Sequence, residues 1–185
     1  DFFQSSDQTA AHGERSLLCR AQAEETITAR QLQVRLEPGV QYTISAYLRG
    51  AAVVPARYTG LFVIDEGWYS LYGRLRPPAG DSDWTRYQAS FTPGPSRNGL
   101  YQVVICGPAS GDLWIDAVQI EPGADATDFT PAAPNLLANP SFEDGLDPWL
   151  QGTQGDNPMR DAVIQYDHAF APEIYLSEQQ TEERA

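Results

Sequence analysis

The chain has 185 residues, 42% hydrophobic and 11% aromatic, with 15 glycines and 14 prolines. That is the make-up of a packed, turn-rich protein, and it excludes general disorder and a fold of long helices. Its 25 acidic residues outweigh 12 basic ones to a net charge of −13, and every basic residue is an arginine standing singly, so neither nucleic acid nor an anionic membrane surface is expected as a partner, since both need clustered cations.

In chain order, Ser16-Leu-Leu-Cys-Arg20 is a first apolar run. Leu32, Val34 and Leu36 then alternate with polar residues, Glu37-Pro-Gly39 makes a turn, and Tyr42, Ile44, Ala46 and Leu48 alternate again, which predicts a hairpin-like pair. Leu61 to Ile64 reads as a short buried strand. Trp84 to Phe91 reads as a half-buried one with Tyr87, Ala89 and Phe91 on one face, and Tyr101 to Cys106 and Leu113 to Ile120 follow as apolar strands. Clusters of Pro and Gly at 77–80, 93–96 and 107–111 punctuate the runs at the intervals of a sandwich. No amphipathic helix is expected before residue 170; Glu173 to Arg184, free of Gly and Pro, is a candidate short helix.

Pro131-Ala-Ala-Pro134 is the best candidate linker, because its prolines hold it extended and deny ladder hydrogen bonds. The expected organisation is a β-sandwich over 1–131, a linker over 132–134, and a C-terminal extension over 135–185 that is the more acidic part, with 10 acids and two arginines. The start at Asp1 suggests a processed or excised chain. The longest apolar stretch is too short to span a bilayer, so membrane insertion is not expected. Cys19 and Cys106 lack metal-ligand spacing. In an oxidising compartment they would pair, removing about 4 kcal/mol of unfolded-state entropy; the alternative is two buried free thiols.

Catalysis finds little footing. His12 and His168 are the only histidines, and there is no Gly-x-Ser-x-Gly elbow, phosphate-cradling loop or zinc spacing. Adjacent acids such as Glu24-Glu25 or Asp65-Glu66 would point to opposite faces of a strand, whereas a glycosidase pair must face one cleft. No enzyme is expected.

Several motifs stand in a familiar order: His12-Gly-Glu-Arg-Ser-Leu17, Gly39-Val-Gln-Tyr-Thr-Ile-Ser-Ala-Tyr-Leu-Arg49, Asp83-Trp-Thr-Arg-Tyr-Gln-Ala-Ser-Phe-Thr92, and Leu113-Trp-Ile-Asp-Ala-Val-Gln-Ile-Glu-Pro-Gly123. Together they resemble the jelly-roll, galactose-binding-like carbohydrate-binding modules appended to xylanases and related glycoside hydrolases. The resemblance covers most of 12–149 and implies an all-β, two-sheet antiparallel sandwich. Asn139-Pro-Ser-Phe-Glu143 followed by Trp149 is similar to the opening strand of such modules, yet it lies after the other motifs rather than before them. The resemblance also implies a structural calcium ion, held by Glu143, Asp116 and backbone carbonyls around His12, Gly13 and Glu14; hard oxygen ligands suit that ion.

Sugars stack their CH faces on exposed rings beside carboxylates. Asp65-Glu-Gly-Trp-Tyr-Ser-Leu-Tyr72 fits best, with Trp68, Tyr69 and Tyr72 as platforms and Asp65 and Glu66 as polar partners; Trp84, Tyr87 and Trp114 read as core. The expected function is therefore a non-catalytic module, extracellular or at the cell surface, that binds polysaccharide. The alternative is a structural subunit of an extracellular filament, sheath or fibre, in which residues 135–149 are lent head-to-tail to a second copy of the chain. A truncated tandem module beginning at Asn135 is a third possibility.

Overall fold

The structure is a computed structural model and describes residues 2–20, 28–65, 67, 70–96, 99–132 and 134–152. Glu66, Trp68, Tyr69, the pair Glu24-Glu25 and the candidate helix at 173–184 lie outside the described residues. Ten strands are described: β1 (Phe3–Ser6), β2 (Ser16–Arg20), β3 (Thr28–Arg35), β4 (Tyr42–Val54), β5 (Gly60–Asp65), β6 (Leu71–Leu75), β7 (Gly80–Phe91), β8 (Leu100–Cys106), β9 (Ser110–Pro122) and β10 (Leu150–Gly152). They form two antiparallel five-stranded sheets, ordered β1-β2-β9-β4-β7 and β10-β3-β8-β5-β6. The described residues contain no helix, and the all-β sandwich is the expected one.

Alternation explains the layers. Ile44, Ala46 and Leu48 of β4, Leu113, Ile115 and Ile120 of β9, and Val63, Tyr101, Val103 and Ile105 of the second sheet meet in one buried core, because every second side chain of a strand faces the same side. Tyr87 and Ala89 pack against it beside Phe91, as the pattern of β7 predicts.

Two expectations about β3 are corrected. β3 and β4 are not a hairpin: β3 pairs with β8 and β10, whereas β4 pairs with β7 and β9. The turn at Glu37–Gly39 instead carries the chain from one sheet to the other. Leu32 is 39% exposed while Val34 and Leu36 are buried, because a bulge between Gln31 and Val34, with Gln33 at φ 62°, shifts the register and reverses which residues face inward. Gln31 is buried in Leu32's stead and clasps the backbone of Ala138 through both ends of its amide, at 2.8 and 2.9 Å.

The segment after the linker folds back onto its own chain. Leu137, Phe142 and Trp149 belong to the same buried core as the strands. Leu136 N–H donates to Ile120 O at 3.0 Å, Val118 N–H to Pro140 O at 2.9 Å, and β10 then pairs with β3. Asn135 fixes the entry, its amide donating to the carbonyls of Val118 and Thr130 while its oxygen accepts from Ile120 N–H.

The cysteines are not bridged. Both are buried free thiols, and strand parity explains why: Cys19 faces the inter-sheet core, whereas Cys106 belongs to an apolar cluster on the far side of the second sheet. Burial raises both thiol pKa values, that of Cys106 to about 12.

Candidate functional site

The outer face of the second sheet carries an unusual set of residues. Cross-strand register puts Phe62 opposite Val104, Ile64 opposite Gln102 and Leu71, and Thr28 opposite Cys106, so all of these share the face turned away from the core. Phe62, Ile64, Val104 and Cys106 form a buried apolar cluster flanked by Tyr58 and Leu71. Two guanidinium groups lie near the Tyr58 ring, that of Arg57 at 5.3 Å and that of Arg74 at 5.6 Å from its centroid, and Arg74 also donates to Arg57 O. Burial, assisted by Arg76, lowers the Arg74 pKa to about 10.

Three buried polar atoms on this face have no hydrogen-bond partner: Thr28 Oγ1, Arg74 Nε and Gln102 Oε1. Each such group costs roughly 1–3 kcal/mol when left unpaired in the fold.

The residues expected to bind ligand divide between two environments. The β5–β6 connection, which carries Trp68 and Tyr69, leaves the end of this same sheet. Tyr72 turns inward instead: it opposes buried Val63, its ring packs against Phe91 and Tyr101, and its hydroxyl accepts from Gly94 N–H at 3.2 Å. Asp65 is 5% exposed and stands opposite buried Tyr101. Both therefore face the interior of the sandwich. Gln102, Arg74 and Tyr58 escaped the sequence reading, although the regular Tyr101–Cys106 alternation, carried outward, puts Gln102 on the solvent side of β8.

A model of the carbohydrate binding domain family matches residues 3–111. The chain belongs to that family. Among solved structures, the carbohydrate-binding domain is similar to "Family 16 Carbohydrate Binding Module-2", with a TM-score of 0.50 and 20% identity over 64% of this chain and 84% of that one; the likeness supports the sandwich fold. The CBM22-1 xylan-binding domain from Paenibacillus barcinonensis Xyn10C also matches, with a TM-score of 0.44 and 15% identity over 67% and 82% of the two chains. No curated protein matches the domain.

The carbohydrate-binding domain also brings Asp116, Glu143 and Gly13 together. A bulge at Ala117, with φ 50°, interrupts β9 next to Asp116. The Asp116 carboxylate is fully buried and accepts from Ala11 N–H at 2.7 Å, His12 N–H at 2.8 Å and Ala117 N–H at 2.6 Å. Glu143 Oε1 accepts from Glu14 N–H at 3.0 Å and Arg15 N–H at 2.9 Å, against the Cα of Gly13. Burial, with a smaller contribution from the charge of Glu143, raises the Asp116 pKa to about 6 in spite of those donors. Two carboxylates thus face one loop. Among the described residues no group of three His, Cys, Asp or Glu gathers, so a calcium ion here would draw its remaining ligands from carbonyls and water.

Proposed function

We propose that this carbohydrate-binding domain is a non-catalytic module that binds polysaccharide across the outer face of its second sheet. The observation that carries the reading is the family match over 3–111, and the three unpaired polar atoms of Thr28, Arg74 and Gln102 support its placement. Glycan hydroxyls both donate and accept, so a chain lying across the sheet offers partners of either kind to the side chains of this face. Trp68 and Tyr69 are the stacking rings of this reading and Glu66 their polar partner, whereas Tyr72 and Asp65 pack inward. A setting outside the cell or at its surface is part of the proposal.

Affinity electrophoresis in gels containing xylan, β-glucan or glucomannan tests the reading. Trp68→Ala and Arg74→Ala are each expected to weaken retardation at least about tenfold, the loss of one well-packed aromatic or charged contact. Unchanged retardation in both variants, or no retardation of the parent chain in any of these gels, would overturn it.

The same reading includes a structural calcium ion at Asp116 and Glu143 with backbone carbonyls of residues 12–14. It is supported by the convergence of two carboxylates on one loop and by the mutual repulsion that a divalent cation would relieve. The filament alternative rests on a strand without a module, and that strand has its partners within the chain.

A further inference from the structure

The opposite side of the sandwich holds a groove that the function above does not use. It lies on the outer face of the first sheet, where β9, β4 and β7 run side by side, and has a volume of about 410 Å³, within the range of small-molecule sites. Trp114 of β9, Arg49 and Ala51 of β4, and Asp81, Ser82 and Asp83 of β7 line it.

Its polar groups are only partly spent. The Arg49 guanidinium lies 5.7 Å from the Trp114 ring centroid and is tethered by one bond, from Nη1 to Thr9 Oγ1 at 2.6 Å. The same hydroxyl accepts from Trp84 Nε1 at 3.0 Å, which fixes the tether. Asp81 and Asp83 each commit Oδ1 to a backbone N–H, that of Ala52 at 2.7 Å and that of Trp84 at 2.8 Å. Their Oδ2 atoms remain for a ligand. Trp114 is only 9% exposed, and its indole N–H has no partner.

We infer that this groove is a second glycan subsite, taking one neutral sugar unit. The inference rests on the carbohydrate-binding reading for its ligand class, but on different residues and the other sheet. A sugar presents vicinal hydroxyls that donate to Asp81 and Asp83 and accept from Arg49 and the Trp114 indole, satisfying a donor otherwise left without a bond. Because Arg49 covers the indole ring, recognition here depends on hydrogen bonds rather than stacking. Two sites on opposite sheets let one module touch two strands of a polymer, so that avidity exceeds either affinity.

The test is a nitrogen-15 NMR titration with xylohexaose, cellohexaose, mannohexaose and laminarihexaose in turn. The four tryptophans give separate indole signals, and Trp114→Phe assigns the one of interest. The expected result is a saturable shift of the Trp114 indole that persists in Arg74→Ala and weakens at least tenfold in the double variant Asp81→Asn, Asp83→Asn. If the Gln102 side-chain amide shifts to saturation while the Trp114 indole stays still, or if Arg74→Ala abolishes the Trp114 shift, the second subsite is overturned and the first stands. Absence of any shift with all four sugars overturns both.

Discussion

Gly13 shows how much one missing Cβ can matter. Its φ is +73°, and a Cβ there would overlap Glu143 Oε1, so replacement meets both backbone strain and a carboxylate. Gly13→Ala is expected to cost about 2 kcal/mol or more in urea unfolding. In a Glu143→Ala background the added cost of Gly13→Ala should drop to the backbone part, about 1 kcal/mol; an undiminished cost would mean that Glu143 is not the obstacle. Asp116 makes a second residue-level case. Burial lifts its pKa from 3.8 to about 6, so between those values the folded chain keeps a proton that the unfolded chain has released, and stability contributed by this group falls as pH rises through that window. In chelator, the melting-temperature difference between the parent chain and Asp116→Asn should therefore change between pH 4 and pH 6.5. Calcium binds the ionised carboxylate, so its stabilising effect should be present at pH 7.5, fade below about pH 6, and vanish in Asp116→Asn. A melting temperature indifferent to calcium at pH 7.5 would remove the ion from the proposal.

At the scale of elements, the 135–149 segment behaves as core. Phe142 is fully buried, with its ring centroid 5.3 Å from that of Trp149, and Phe142→Ala should cost about 3–5 kcal/mol by equilibrium unfolding; a loss under about 1 kcal/mol would mean that the segment only rests on the surface. Strand identities were legible in the sequence wherever alternation ran unbroken, as in Tyr42 to Leu48 of β4, Thr85 to Phe91 of β7, and β8. They became illegible where a bulge intervened. Nothing in Gln31-Leu-Gln-Val34 announces that Gln33 takes a positive φ, and without that knowledge Leu32 reads as core and Gln31 as surface. The β3–β4 connection misled for another reason: a Pro-Gly turn reverses the chain equally well within a sheet and between two sheets. The proposed site was harder still. Rings in a sequence announce themselves, but a shared sheet face that carries Thr28, Gln102 and Arg74 on three strands is visible only once register is known.

For the whole molecule, the closure of 135–149 on its own sandwich predicts a monomer. Sedimentation equilibrium should return 20.4 kDa independent of concentration; a mass that grows with concentration would revive exchange of that segment between copies. The closing contacts also span nearly the whole described chain: Ser5 Oγ donates to Phe142 O across 137 positions, and Gln151 Nε2 donates to Phe3 O across 148. Contacts so distant in sequence slow folding, and during synthesis they impose an order of events. When residue 131 has emerged from the ribosome, β1 to β9 are free to pair, yet Leu137, Phe142 and Trp149 are still enclosed. At roughly 5–20 residues per second, the ribosome needs about 1–4 s more to deliver them, and for that interval the nascent sandwich exposes the apolar seat that its last segment will fill. The module is thus most in need of protection from aggregation just before it is finished.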